Sequence, residues 1–485
     1  MLSFVACGAI AFLLSLLLTV GVRGMARRAG WVDPPSPRKI HRIAVPRLGG
    51  VAVMLATVVA LVLFQAARMY LRRATFVPNS LLLHLLLPTA LVFVIGVWDD
   101  IRPLRWPIKL SGEVVAALWL CSWGIRVNLF RIPGEGEILL HVVAFPVTVL
   151  WLLLSTNGIN LVDGMDGLAT GISLAATGTL MMAGLITGNT GLVAVTVPLA
   201  GALLAFLWFN FNPASIFLGD SGSLSVGFLL GACGVVWSQK ATATVALAVP
   251  VLAFGVPILD SGLALTRRFL AGKALFLPDL RHIHHRLKER GSSTRQVVAL
   301  LYGASAVLAG VSLLVADNRF VGLGLAVLTL TILSWFGIRY LQYEEFEEAG
   351  YVLGKRLGVR HAVGELLDFN ELAARSIAVQ GSEELWALVC DLGHLLHCEK
   401  VELRWGGLQR EWRMPDSIAE AGWEMVVPLT TPATETHALR LVLSRDSGLM
   451  ALAPGRVARV LQEQLPPQCQ LWLGAHWTTA GAGAS

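Results

Sequence analysis

SFVACGAIAFLLSLLLTVGV, residues 3–22, carries no charge, and Arg23, Arg27, Arg28, Arg38, Lys39, Arg42 and Arg47 all follow it before the next apolar run. About twenty apolar residues in a helix cover roughly 30 Å, the thickness of a bilayer's hydrocarbon core. Basic residues behind the run rather than in front of it place the N-terminus outside. They also make the segment an anchor and not a cleaved signal peptide.

Similar runs recur at roughly 3–22, 48–67, 80–98, 110–125, 139–156, 168–187, 190–208, 222–238, 242–265, 297–316 and 320–340. The fold class expected is an all-α polytopic membrane protein of about eleven transmembrane helices with a small soluble α+β C-terminal domain. Of 485 residues, 55% are hydrophobic and 14% charged, and the mean hydropathy is +0.66. A soluble globular protein carries about 25% charged residues, so a soluble multidomain enzyme is excluded. Period-two alternation is absent from the runs, which argues against an outer-membrane barrel. Cys7, Cys121, Cys233, Cys390, Cys398 and Cys469 form no CxxC pair, which suggests neither a zinc site nor a disulfide framework. The net charge of +6 has to be placed in space before it indicates a partner, and nothing points to nucleic acid.

Counting spans from an outside N-terminus makes roughly 23–47, 99–109, 157–167, 209–221, 266–296 and everything after 341 cytoplasmic. The segment 266–296 is strongly basic, as this parity requires. Arg68, Arg72 and Arg73 dissent, because they fall on the outside. Residues 1–340 form the expected membrane domain and 341–485 the soluble one, opening with Glu344, Glu345, Glu347 and Glu348. In this tail ELWALVCDLGHLLH (384–397) reads as an amphipathic helix, KVELRW, WEMVVPL and HALRLVLS as strands, and 454–465 as a closing helix. The last residues, TTAGAGAS, read as a disordered end.

The unusual polar residues gather on the cytoplasmic side. Asp99 and Asp100 follow directly on LVFVIGVW, so two like charges stand together at a membrane boundary, as a solvated helix end or as a site for Mg²⁺ or proton abstraction. Lys109, before the next run, can serve a phosphate or act as an anchor. NGINLVDGMDGLATG (157–171) places Asn157, Asn160, Asp163 and Asp166 at spacings of three, on one side of a helical turn, with glycines that admit a ligand to the backbone. Its spacing is not that of an EF-hand. FNFNPASIFLGDSGSLSVG (209–227) sets Asp220 in a glycine turn opening a helix, suited to a hard metal and to phosphate contacts through backbone N–H groups. A plain N-cap is the simpler reading of Asp220. PDLRHIHHRLKERG (278–291) offers His282, His284, His285 and Arg286 in a basic setting that suits an anion better than zinc, or merely a solvated loop.

Five motifs in this order, DPPSPRKIH…PRLGG, the DD pair, NGINLVDGMDGLA, NPASIFLGDSGS and HIHHRL, resemble the polyprenyl-phosphate N-acetylhexosamine-1-phosphate transferases over nearly all of residues 1–340. The resemblance implies a multi-pass enzyme of the bacterial inner membrane with a cytoplasmic active site. Its reaction would be transfer of a sugar 1-phosphate from a UDP-sugar to undecaprenyl phosphate with release of UMP, starting cell-envelope polysaccharide or lipopolysaccharide synthesis. His282-Ile283-His284-His285-Arg286, where the phospho-MurNAc-pentapeptide branch usually has three consecutive histidines, places the chain on the N-acetylglucosamine side. The pentapeptide branch is the alternative. By the same resemblance Asp220 and Asn160 match ligands of Mg²⁺, with Mn²⁺ as the substitute, and Asp99 and Asp100 match the catalytic pair at the acceptor phosphate. Lys109 and Arg286 match positions near the donor phosphates, and Asn157, Asp163 and Asp166 the nucleotide side. His282, His284 and His285 match a segment closing over the donor, and Arg38, Lys39 and His41 the first cytoplasmic loop. A homodimer stays open as the assembly.

Two other classes compete. A secondary transporter would hold its polar residues near the bilayer midplane, whereas here they sit at span ends. A receptor signalling through the tail would make the islands incidental. Deleting residues 345–485 is therefore expected to spare the chemistry, measured as turnover by the purified truncated chain; loss of turnover from a well-folded truncation would put the tail in the reaction.

Overall fold

The computed structural model describes residues 2–34, 44–70, 79–127, 137–240, 248–270, 282–317, 319–341, 368–369, 371–372, 375, 379–396, 398–405, 408–413, 423–428, 437–443, 461, 465 and 469. Helices occur at all the expected spans: α1 Leu2–Ala29, α2 Gly49–Tyr70, α3 Asn79–Ile101, α4 Trp106–Ser122, α5 Glu137–Val162, α6 Leu168–Ile186, α7 Thr190–Asn210, α8 Asp220–Lys240, α9 Ala248–Ala253, α10 Gly255–Leu270, α12 Thr294–Asp317 and α13 Arg319–Leu341. Ile283–Glu289 adds a short α11 in the histidine segment. Among the described residues nine helices are long and apolar enough to cross a membrane, rather than eleven. The two exceptions have physical reasons. Helix α4 has only 17 residues. The run expected as one span at 242–265 is broken at Phe254 between α9 and α10, where Pro250 and Pro257 each remove a backbone donor. Arg68, one of the dissenting charges, is buried in α2 with its guanidinium 5.8 Å from the Phe64 ring centre; Arg72 and Arg73 lie outside the described residues.

Helix α8 is the centre of the membrane unit. Every residue from Ser221 to Ser238 is buried, and the helix packs against α2, α3, α5, α6 and α7. Between helices in lipid, close packing of small residues replaces the hydrophobic drive, and α8, DSGSLSVGFLLGACGVVWSQK, is rich in them. A Cβ on Gly50 would collide with the Gly222 nitrogen, and one on Gly96 with the Asp220 carbonyl oxygen. So α2 and α3 meet α8 backbone to backbone. Before α2, the strands β1 Val32–Asp33 and β2 Val45–Pro46 pair antiparallel, and Arg47 forms an ion pair with Asp33. The Gly49 and Gly50 amides donate to the carbonyls of Phe217 and Leu218, at 2.9 and 2.8 Å. That fixes the base of the first loop to the segment leading into Asp220.

The chain divides into two compact units, Met1–Ala264 with Asp279–Leu341, and Leu265–Pro278 with Gln342–Ser485. In the second, β3 Cys398–Trp405, β4 Leu408–Arg413, β5 Trp423–Pro428 and β6 His437–Leu443 form an antiparallel sheet in the order β4-β3-β6-β5. Helix α14, Ser382–Leu395, contributes Leu385, Leu388, Val389 and Leu392 to a core shared with Val401, Leu403, Leu439 and Leu441. Of the closing helix, Leu461 and Leu465 are described, helical and buried. Strand β4, LQREWR, is absent from the sequence reading because half its residues are charged; it is held through pairing with β3, where Lys400 lies 3.0 Å from Glu411.

Gly96→Ala is expected to destabilise the membrane unit by about 1–3 kcal/mol through overpacking, read as a lower thermal midpoint in detergent. Gly178→Ala, in open space on α6, is the control and should leave the midpoint unchanged or raised. Equal midpoints for the two variants would refute the backbone contact.

Candidate active site

Four helix ends bring the polar islands together. Asp99 and Asp100 lie at the end of α3, Lys109 in the first turn of α4, Asn160 in the last turn of α5 and Asp220 at the start of α8. The Lys109 ammonium sits between two carboxylates, 2.9 Å from Asp220 Oδ2 and 3.4 Å from Asp99 Oδ2. Asn160 Nδ2 donates to Asp220 Oδ1 at 3.1 Å and to Ser223 Oγ at 2.9 Å. Asp99 Oδ1 accepts the Leu104 amide at 2.7 Å, which fixes its carboxylate.

Asp100 faces another way. Its oxygens accept the amides of Asp220 and Ser221 at 2.9 and 3.0 Å, and the next two amides, of Gly222 and Ser223, donate to the Gly219 carbonyl. The first four donors of α8 thus all have protein acceptors, and the phosphate contact through these amides that the sequence suggested is corrected. Asp100 caps the helix from a neighbouring one and sets where Asp220 stands. Gly219, at φ +74°, makes the turn. A side chain there would meet Asp100 Oδ2 at 2.5 Å.

The spacing of three in NGINLVDGMDG does not continue as one helical face, because α5 ends at Val162 and Gly167 turns at φ +78° into α6. Asn157, still on α5, donates to Glu113 Oε2 at 2.5 Å. Asp163 stands in the turn; burial, then the nearby Asp220 and Asp100, hold its carboxyl well above the usual carboxylate range, against a Gly219 backbone hydrogen bond and Arg47. Asp166 Oδ2 accepts from Asn212 Nδ2 at 2.9 Å and the Ala214 amide at 3.0 Å, so it braces the turn before Asp220.

The histidine segment reaches this turn through His284. A Cβ on Gly164 would lie 2.8 Å from its Nε2. His285 tilts against His284, ring centres 4.3 Å apart, and Arg286 pairs with Glu289 on the same helix. His282 Nδ1 lies 3.0 Å from Asp260 Oδ2. Arg38, Lys39 and His41 lie outside the described residues.

Sequence reasoning passed over Glu113 and Asp260, both buried. The available signal was a lone carboxylate inside an apolar run, where an ionisable residue needs a partner.

The resemblance implies a divalent cation, and the donor chemistry fits one. Among the described residues no three His, Cys, Asp or Glu side chains are grouped to hold a metal by themselves. Mg²⁺ commonly takes one or two carboxylates together with substrate phosphates and water, a demand that Asp220 and the Asn160 amide can meet.

The helices and this carboxylate–lysine cluster define a multi-pass membrane protein with a charged site at its helix ends. The family description glycosyl transferase family 4 matches residues 82–238. The chain is 31% identical over 329 residues, 67% of its length and 89% of the relative's, to a Bacillus subtilis protein named as a probable undecaprenyl-phosphate N-acetylglucosaminyl 1-phosphate transferase. It is 36% identical over 317 residues to the decaprenyl-phosphate N-acetylglucosaminephosphotransferase of Mycobacterium tuberculosis, covering 61% and 78%. To the undecaprenyl-phosphate alpha-N-acetylglucosaminyl 1-phosphate transferase of Escherichia coli K12 it is 26% identical over 352 residues, covering 70% and 91%. The chain belongs to glycosyl transferase family 4, on the polyprenyl-phosphate N-acetylhexosamine-1-phosphate transferase side.

Burial, helped by the charges of His285 and His282, lowers His284 to about 4 against the pull of Asp260. The folded chain therefore excludes a proton that the unfolded chain takes up near 6.5. Stability is fully present above about pH 6.5 and falls as pH drops towards about 4, by at most about 3 kcal/mol. Thermal unfolding in detergent between about pH 7.5 and about pH 4.5 should show this dependence weakened in His284→Gln; an identical pH slope in both proteins would contradict it.

Proposed function

We propose that this chain transfers N-acetylglucosamine 1-phosphate from UDP-N-acetylglucosamine to undecaprenyl phosphate, releasing UMP, at the cytoplasmic face of a bacterial inner membrane. The observation that carries the reading is the convergence of Asp99, Lys109, Asn160 and Asp220 from four helices. The names of the relatives favour the N-acetylglucosamine branch over the pentapeptide branch.

Donor diphosphate and lipid phosphate are both anions, and their approach is the main electrostatic obstacle. Lys109 supplies a fixed positive charge between the two carboxylates. Asp220 and Asn160 would hold Mg²⁺, which when bound offsets the phosphate charge. In the direct version, an oxygen of the lipid phosphate attacks the β-phosphorus of the UDP-sugar. The bond from that phosphorus to the bridging oxygen breaks, and UMP leaves with the electron pair. Asp99, held by the Leu104 amide and Lys109, keeps the attacking oxygen deprotonated. The engagement of both Asp100 oxygens by amides supports this version over an Asp100 nucleophile. Asn157, Asp163 and the histidine helix would serve the donor's nucleotide and diphosphate.

Purified protein in detergent with Mg²⁺, undecaprenyl phosphate and UDP-N-acetylglucosamine is expected to release UMP only when the lipid is present. Asp220→Ala should insert normally and lose at least about 100-fold in kcat, and chelation should abolish turnover. Silence from folded protein with every UDP-sugar would overturn the assignment. Exchange of labelled UMP into the donor without acceptor would replace direct attack by a covalent intermediate and ping-pong kinetics.

A further inference from the structure

Asp260 lies in α10 within GVPILDSGLALTRRFL, five residues inside the end of the apolar run read as 242–265. It is 4% exposed, and its bonded neighbour His282 is 5% exposed. Ionisable groups so buried are expensive unless paired. Both oxygens of Asp260 are directed at the start of the histidine helix. Oδ2 is 3.0 Å from His282 Nδ1, and Oδ1 accepts the Ile283 amide at 2.8 Å. Helix α11 has no side-chain cap from His282, its own N-cap residue. The carboxylate on α10 supplies that cap from outside.

Two consequences follow from the chemistry of the pair. The cap fixes α11, and with it His284, whose Nε2 lies against Gly164 in the turn that carries Asp163. The bond to Nδ1 fixes the His282 ring, stacked nearly parallel to His284 at 6.0 Å with 4° between the planes. A carboxylate can only accept, so Nδ1 carries the proton and Nε2 is the nitrogen left to face a ligand.

We propose that Asp260 is a positioning residue for the donor: by capping α11 and imposing the tautomer of His282, it sets the hydrogen-bonding face that the histidine helix offers to the donor diphosphate. The ligand class rests on the function proposed above; the capping and the tautomer rest on the geometry alone.

Asp260→Asn separates this role from simple support. The amide oxygen still accepts from Ile283, and the amide N–H can donate to Nδ1, so both contacts survive while the proton at His282 moves to Nε2. The expected result is a folded protein with an unchanged KM for undecaprenyl phosphate and a kcat/KM for UDP-N-acetylglucosamine reduced at least tenfold. The double variant Asp260→Asn with His282→Ala should be no worse than His282→Ala alone. Donor kinetics like the parent's, or losses that multiply in the double variant, would overturn the tautomer role. Amide hydrogen exchange provides a reading independent of catalysis: Asp260→Ala should raise exchange across 283–289 at least tenfold and Asp260→Asn should not. Unchanged exchange in Asp260→Ala would overturn the capping role. An inactive parent that shows the exchange pattern would refute the donor assignment and leave the cap standing.

Discussion

A carboxylate reaching across from one helix to close the end of another is the constraint on which the site depends. Asp100 of α3 bonds the first two amides of α8, where a helix end carries partial positive charge and unpaired donors. The bond is possible only because Gly96 lets α3 lie against the Asp220 carbonyl and Gly219 turns the chain beside the carboxylate. With α8 locked in this way, Asp220 has one position. Lys109 and Asn160, coming from α4 and α5, then meet it at hydrogen-bond distance. The two adjacent aspartates thus divide the work: Asp99 turns to the lysine, and Asp100 holds the frame that makes the encounter possible.

A second frame of the same kind stands beside the first. Asp260 closes α11 as Asp100 closes α8, and Asp166 braces the 212–214 turn through Asn212 and Ala214. In each case an acidic side chain satisfies backbone donors where a segment begins or turns. Such donors, without water or partner, would cost several kcal/mol in an apolar surround. Asp100, Asp166 and Asp260 all serve the backbone, a use that the sequence alone does not separate from chemistry.

Spans were legible because an apolar run of about twenty residues has few uses besides crossing a bilayer, and the site was legible because polar residues are conspicuous at the ends of such runs. Motif order pointed to Asp99, Lys109, Asn160 and Asp220 as one site, and these four side chains do meet. What the pattern hid depends on three-dimensional pairing. The break at Phe254 hides in a run that reads as a single span, and β4 hides behind its charges. Glu113 and Asp260 look like isolated defects until Asn157 and His282 appear beside them. The spacing of three from Asn157 to Asp166 suggested a helical face, whereas Gly164 and Gly167 favour the turn that replaces it.

The burial of α8 on all sides has a consequence for how the chain is made. Of the helices it packs against, α2, α3, α5, α6 and α7 precede it in the sequence and α9 follows, so when α8 leaves the ribosome most of its walls have already been synthesised. Of its buried hydroxyls, Ser223 accepts from Asn160 on one of those walls, while Ser225 bonds back to the Ser221 carbonyl within the helix. Asp220 enters last among the four converging residues. A chain interrupted before that point carries Asp99, Lys109 and Asn160 without the carboxylate that joins Lys109 to Asn160.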